Sequence, residues 1–366
     1  MKKLFLIPLL VLLAVSLVLG SCAEPAPAPT PTPAPSPTPA PSPTPAPAET
    51  ISLKMSHAFP PPSPLGVTLV DWANKIGEET NGRVEITVYG GGSLVKSAEF
   101  YDAVASGVTD IAYGHPSEDL SHCALETAFG LPGITWPEPY PTLDARVRIQ
   151  EEIRQKFPQI AEAQKETVRL YDAIMPPYVL QSATKEVRVP EDMKGYKVAA
   201  TGFYATVADI LGAVPVTMSA PDRYMALERG TIDGSWDIWG GINAMKHYEV
   251  SKYYLEGPEF GSGMAIIVMN KEKLNSLPPD IQEVFLNQRD VSLVFPQTSF
   301  YPSIPVGKKA VAEHGGICTE LTPEEMALWN DALKNSFDAW VEETEAAGWP
   351  AGEFLDELLR LIEQSS

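Results

Sequence analysis

Cysteine is scarce in this chain: Cys22, Cys123 and Cys318 are the three in 366 residues. That excludes a disulfide-stapled scaffold and a cysteine-rich zinc module, and it leaves Cys123 and Cys318 either to pair outside a cell or to remain as buried thiols. Histidine numbers five, and His122, His247 and His314 form no ligand spacing with the cysteines. Basic residues are also few, with 27 Lys and Arg against 47 Asp and Glu, a formal net charge of −20. Such a balance repels nucleic acid and anionic lipid. It does not exclude a small anion, because one arginine can dominate a closed pocket. Catalytic signatures are missing too: there is no Gly-x-Ser-x-Gly elbow, no His-Glu-x-x-His helix and no nucleophile beside a recognisable base. Acidic neighbours such as Glu78 with Glu79 and Glu342 with Glu343 read as solvated helix faces.

What is present begins with an address. Met1, Lys2 and Lys3 open the chain, an apolar run follows from Leu4 to Leu19, and Leu19, Gly20 and Ser21 lead into Cys22. The run is shorter than the roughly 20 residues a membrane-spanning helix needs. Its small-residue end fits cleavage, so residues 1–21 read as a lipoprotein signal and Cys22 as the lipidated first mature residue. Loss of the two lysines takes the formal net charge from −20 to −22. From Cys22 to about Ala48, proline alternates with alanine, threonine and serine. Proline fixes φ and donates no backbone hydrogen bond, so residues 22–50 read as an extended polyproline II tether, about 3 Å per residue. The chain is therefore expected outside the cytoplasm, in the periplasm or at the cell surface, held to a membrane by lipid.

The roughly 320 residues that follow exceed what one core usually holds and imply two lobes. Strands alternate with helices, the pattern of an α/β protein. Ile51 to Ser56 is a strand, Leu65 to Thr80 a helix stopped by Asn81 and Gly82, and Val84 to Tyr89, Lys96 to Ser106 and Ile111 to Tyr113 a βαβ unit. Gly90, Gly91 and Gly92 lack the spacing of a phosphate loop and read as a turn. Further on, strands are expected at Val168 to Ala173, Tyr178 to Ser182, Lys197 to Ala200, Val214 to Met218 and Met264 to Met269. Helices are expected at Gly202 to Leu211, Pro221 to Arg229 and Leu321 to Ala346, the last entered through Thr322 and Pro323.

Two blocks of the sequence carry a resemblance. Gly82 to Gly114, GRVEITVYGGGSLVKSAEFYDAVASGVTDIAYG, and Val189 to Gly234, VPEDMKGYKVAATGFYATVADILGAVPVTMSAPDRYMALERGTIDG, resemble the two lobe signatures of DctP-type substrate-binding subunits of tripartite ATP-independent periplasmic (TRAP) transporters. The resemblance implies a periplasmic-binding-protein-like fold, two α/β lobes joined by hinge strands, with a ligand cleft between them. It implies capture of a small organic molecule, delivery to small and large permease subunits driven by an ion gradient, and no enzymatic activity. Lobe I is placed at 51–173, with roughly 264–295 returning to it; lobe II is 174–263, with roughly 296–366 packing across both. A ligand-sensing lipoprotein serving a membrane receptor and a secreted hydrolase are the alternatives.

The chain departs from the family at the ligand. The arginine that clamps a carboxylate at the end of the strand after the Lys-Gly turn is here Ala199, and a second arginine of some members falls on Val179. The family's Glu-Asn-Pro run is replaced by Ser235, Trp236, Asp237 and Ile238. The candidate cleft residues are His57, Phe59, Tyr113 and His115 in the first lobe and Tyr178, Ala199, Thr201, Phe203, Trp236, Asp237, Trp239 and Asn243 in the second. Trp236 and Trp239 lie three apart, so one is expected to face inward and the other the cleft. With the clamp gone, the expected ligand is neutral, zwitterionic or aromatic, or an acid bridged by a metal ion; no other cofactor is implied. Arg223 or Arg188 would have to move in for a simple acid to be held.

Overall fold

The computed structural model describes residues 50–60, 63–134, 136, 144–218, 220–290 and 300–365. The signal 1–21, Cys22 and the proline tract up to residue 49 lie outside them. Two sheets organise the rest. The first contains β1 (Ile51–Ser56), β2 (Val84–Tyr89), β3 (Ile111–Gly114), β4 (Thr167–Pro177) and, much later in the chain, β10 (Ser262–Asn270), in the order β2-β1-β3-β10-β4. β2 and β3 flank β1 in parallel, and β10 runs antiparallel to β3 and β4. The second contains β5 (Val179–Ser182), β6 (Lys197–Ala199), β7 (Val214–Val216), β8 (Gly234–Asp237), β9 (Tyr253–Leu255) and β11 (Ile317–Thr319), in the order β11-β9-β5-β8-β6-β7.

Local chemistry explains these elements. β10 is apolar and buried along nearly its whole length because it is paired on both sides and packed on both faces. β4 runs through Pro176 to Pro177, past the expected end at Ala173; it lies at the sheet edge, so the donors these prolines lack are not missed by a second partner. The expected helix at Lys96 to Ser106 is instead a 3-10 turn, Ser97–Glu99, followed by the helix Phe100–Ala105. The helix Pro64–Glu79 starts at Ser63, whose hydroxyl accepts from the Gly66 amide, and it buries Leu69, Trp72 and Ile76 against the first sheet.

Two of the chain's crossings between the sheets lie side by side. Tyr178 alone separates β4 from β5, and residues 256–261 lead from β9 to β10; the Tyr178 amide donates to the Gly261 carbonyl at 2.9 Å, tying the crossings together. The long helix Pro323–Ala346 is opened by a capping box in which Thr322 and Glu325 satisfy each other's amides. It braces both halves: Trp329 Nε1 donates to the Arg188 carbonyl at 2.8 Å, and Trp340 Nε1 to Thr127 Oγ1 at 2.8 Å. Cys123 is buried, Cys318 is exposed, and both are free thiols. Among the described residues no helix is long and apolar enough to cross a membrane.

Candidate functional site

The loops leaving β1 and β3 face the carboxyl ends of β6 and β8, and between them lies a cavity of about 300 Å³. That is the small end of the range for small-molecule sites. Aromatic rings stand on both sides of it. Phe59 packs edge-on to Tyr113 (5.7 Å between ring centres), and Tyr113 edge-on to His115 (5.3 Å). On the other side Tyr178 meets Tyr204 at 5.1 Å and Tyr204 meets Trp236 at 5.8 Å. Such rings bury much apolar area at little conformational cost.

Charge enters this cavity at three residues. Arg223, on the helix Arg223–Glu228, donates from Nη1 to the Trp236 carbonyl at 3.1 Å and lies 3.6 Å from Asp237 Oδ2. Asp237 ends β8, and its Oδ1 accepts from the Ile238 amide at 2.8 Å. Glu118 accepts from the Ser97 hydroxyl. Gly241 lets the carboxylate sit where it does, because a Cβ there would lie 2.1 Å from Asp237 Oδ1. Burial pushes the Tyr178 hydroxyl above the ordinary phenol range, opposed by Arg223 and reinforced by Asp237 and Glu118, so it stays protonated. His115 Nδ1 faces the Met264 carbonyl at 3.0 Å. A carbonyl only accepts, so this contact assigns a proton to Nδ1. Arg223 Nε, Trp236 Nε1 and Tyr113 Oη are buried without a hydrogen-bond partner among the described residues. An unmet buried donor costs about 1–3 kcal/mol, which a ligand acceptor recovers.

The cavity gathers Phe59, Tyr113, His115, Tyr178, Ala199, Thr201, Trp236, Asp237 and Asn243 from the sequence-based set. It does not gather His57, Phe203 or Trp239. His57 is buried beneath the Phe59 loop, where its Nδ1 accepts from the Phe59 amide at 3.2 Å and its ring fills the space left by Gly90. Burial lowers its pKa to about 4 and keeps it neutral. Phe203 turns into the core under the Phe203–Ile210 helix. Trp239 packs on Tyr254 and donates to Glu256 Oε1 at 3.0 Å. Of the tryptophan pair, Trp236 is the one on the cleft.

Arg188 is likewise elsewhere, held by both oxygens of Glu325 at 2.7 and 2.8 Å. Glu118, Tyr204 and Ser303 also line the cavity, and sequence reading missed them. Glu118 was within reach, since it follows His115 by three residues; Ser303 lies 69 residues past Gly234, the end of the second signature block, and gives no local signal. Among the described residues no group of three His, Cys, Asp or Glu side chains is placed to hold a metal ion.

The sequence matches DctP, the bacterial extracellular solute-binding protein family 7, over residues 55–119 and 178–344, more than half of the chain. The chain belongs to this family. Among the relatives of this solute-binding protein is the C4-dicarboxylate-binding periplasmic protein DctP of Vibrio cholerae, 24% identical over 273 residues, which are 74% of this chain and 80% of that one. A TRAP solute-binding protein from Rhodoferax ferrireducens, solved with copurified benzoate, superposes with a TM-score of 0.77 at 24% identity, covering 86% of this chain and 98% of that one. Another from Ralstonia eutropha, with bound (S)-2-acetolactate, gives 0.72 at 26% identity over 86% and 99%. The protein is a TRAP substrate-binding subunit, a receptor for a small organic molecule.

Proposed function

We propose that this subunit is a lipoprotein anchored through Cys22, that it closes its two lobes around a small molecule with an apolar or aromatic body, and that it releases that molecule chemically unchanged. The observation that carries the reading is the exchange of cations within one cavity. The strand-end position where the family clamps a carboxylate is Ala199, buried in an apolar cluster with Ala226, Leu227 and Ile232, while Arg223 supplies the guanidinium from a neighbouring helix. Arginine suits such a role because its planar fork offers several donors in fixed geometry. The aromatic walls, the single cation and the small volume favour one compact ligand with one polar end. In this reading residues 51–177 and 262–290 form one lobe and 179–255 the other, with Tyr178 and 256–261 as the hinges.

The test is uptake. Purified full-length protein is screened by thermal shift against a metabolite panel, and each hit is offered in labelled form to proteoliposomes holding the transporter's membrane subunits. Accumulation that requires this protein and an ion gradient supports the reading. Turnover of a hit by the purified protein overturns it. Cys22→Ala should shift the protein from the membrane to the soluble fraction or block its processing; membrane retention through a high-salt wash would refute the lipid anchor.

A further inference from the structure

The cavity holds two carboxylates, Asp237 and Glu118, against one guanidinium, Arg223. Asp237 is the more buried of the acids. Its Oδ1 is used by the Ile238 amide, while Oδ2 faces Arg223 Nη1 at 3.6 Å and His247 Nδ1 at 3.7 Å, both beyond a good hydrogen bond. His247 gives it no proton: its Nδ1 is met at 2.9 Å by the Gln181 amide nitrogen, which donates there as it does to Ser235 Oγ. Burial also lowers the His247 pKa, against the pull of Asp237. Arg223 is equally incomplete, with Nε unpartnered. An acid and a base therefore stand side by side on one wall, each with unused hydrogen-bonding capacity, and aromatic rings face them.

We propose that the ligand is a zwitterion whose carboxylate and ammonium are carried on one carbon, an α-amino acid with a hydrophobic or aromatic side chain, its carboxylate on Arg223 and its ammonium on Asp237. The inference rests on the receptor reading above and narrows it. A simple carboxylate would take up the guanidinium and leave Asp237 and Glu118 facing it as like charges. A simple amine would meet Asp237 but leave Arg223 uncompensated beside it. A neutral molecule leaves the two residues paired only with each other across 3.6 Å, beyond a good hydrogen bond, and a ligand without an acceptor leaves Arg223 Nε unmet. A ligand carrying both signs on one carbon completes both residues, and the rings of Tyr178, Tyr204 and Trp236 then receive its side chain.

Calorimetry on the purified full-length protein decides it, using the hydrophobic and aromatic L-amino acids together with analogues missing one charge: for phenylalanine, 3-phenylpropionate and 2-phenylethylamine. At least one amino acid should bind 10-fold or more tightly than both of its analogues. Asp237→Asn should weaken the amino acid at least 10-fold and tighten the deaminated acid, whereas Arg223→Gln should weaken both and spare the amine. The analogue series needs no variant, so it stands even where a substitution unfolds the protein. A deaminated acid that binds as tightly as its amino acid overturns the zwitterion and leaves the receptor reading in place. Amino acids that give no heat at all overturn it as well. Silence from these compounds and from the whole metabolite panel would bring down both.

Discussion

Gly202 rests against the backbone of Ser117: a Cβ at position 202 would lie 2.3 Å from the Ser117 carbonyl oxygen. Gly202 follows β6 in the second sheet and Ser117 follows β3 in the first, so the two halves touch at full backbone contact beside the cavity. Gly202 also has φ of +53°, which favours glycine on its own account.

Gly202→Ala should therefore prop the lobes apart. We expect ligand affinity to fall by about 10-fold or more, about 1.4 kcal/mol, and small-angle scattering to show a smaller compaction on ligand addition. Unchanged affinity and compaction would mean that this contact does not limit closure.

Gly241 poses a different case, since its backbone is helical and alanine is intrinsically favoured there by about 1 kcal/mol. The obstacle is the Asp237 carboxylate, 2.1 Å from the added Cβ. Gly241→Ala should leave the melting temperature nearly unchanged but displace Asp237 and weaken binding of any ligand that needs it, by 10-fold or more in calorimetry.

Glu126 is fully buried and receives Arg154 Nε at 2.8 Å, Arg169 Nη2 at 2.7 Å and Gln164 Nε2 at 2.7 Å, while Asp172 pairs with both arginines. Burial alone would raise its pKa; the arginines overcome this and hold it at about 2. Its stabilising contribution is present above the unfolded value of 4.5 and is lost as pH falls through about 2. Glu126→Leu leaves two buried guanidinium groups short of a partner, and a loss of about 3–5 kcal/mol is expected from denaturant unfolding.

His57 acts in a separate window. Its folded pKa of about 4 lies below the ordinary 6.5, so the unfolded chain takes up a proton first as pH drops. Stability should decline between pH 6.5 and 4, by about 2–4 kcal/mol, and this part should level off below 4. His57→Gln should flatten the melting-temperature profile over that range only; an unchanged slope would place the titrating group elsewhere.

The elements were legible in the sequence wherever a local pattern was enough. β2 falls at Val84–Tyr89 as its alternation implies, and the capped helix Pro323–Ala346 starts at the Thr322 signal. What the sequence did not reveal depends on packing across the chain. Trp236 and Trp239 are chemically alike and three residues apart, and only the pairing of β8 with β5 and the Tyr254 ring beneath Trp239 decides which faces the cleft. His57 carried the same ambiguity, resolved by the space above Gly90. Arg223 stood in a plain helical run, and its role emerges only because the helix Arg223–Glu228 brings it beside Asp237.

Tyr178 is the one residue between β4 and β5, and it also lines the cavity. On the hinge reading proposed above, recognition and release are inseparable in this receptor. A substitution at Tyr178 that improves grip on a new solute alters at the same time the torsion of the segment through which the lobes part. Re-targeting the protein to another cargo would consequently proceed faster through Trp236 or Phe59, which touch the cavity without standing on that axis, than through the tyrosine that does both.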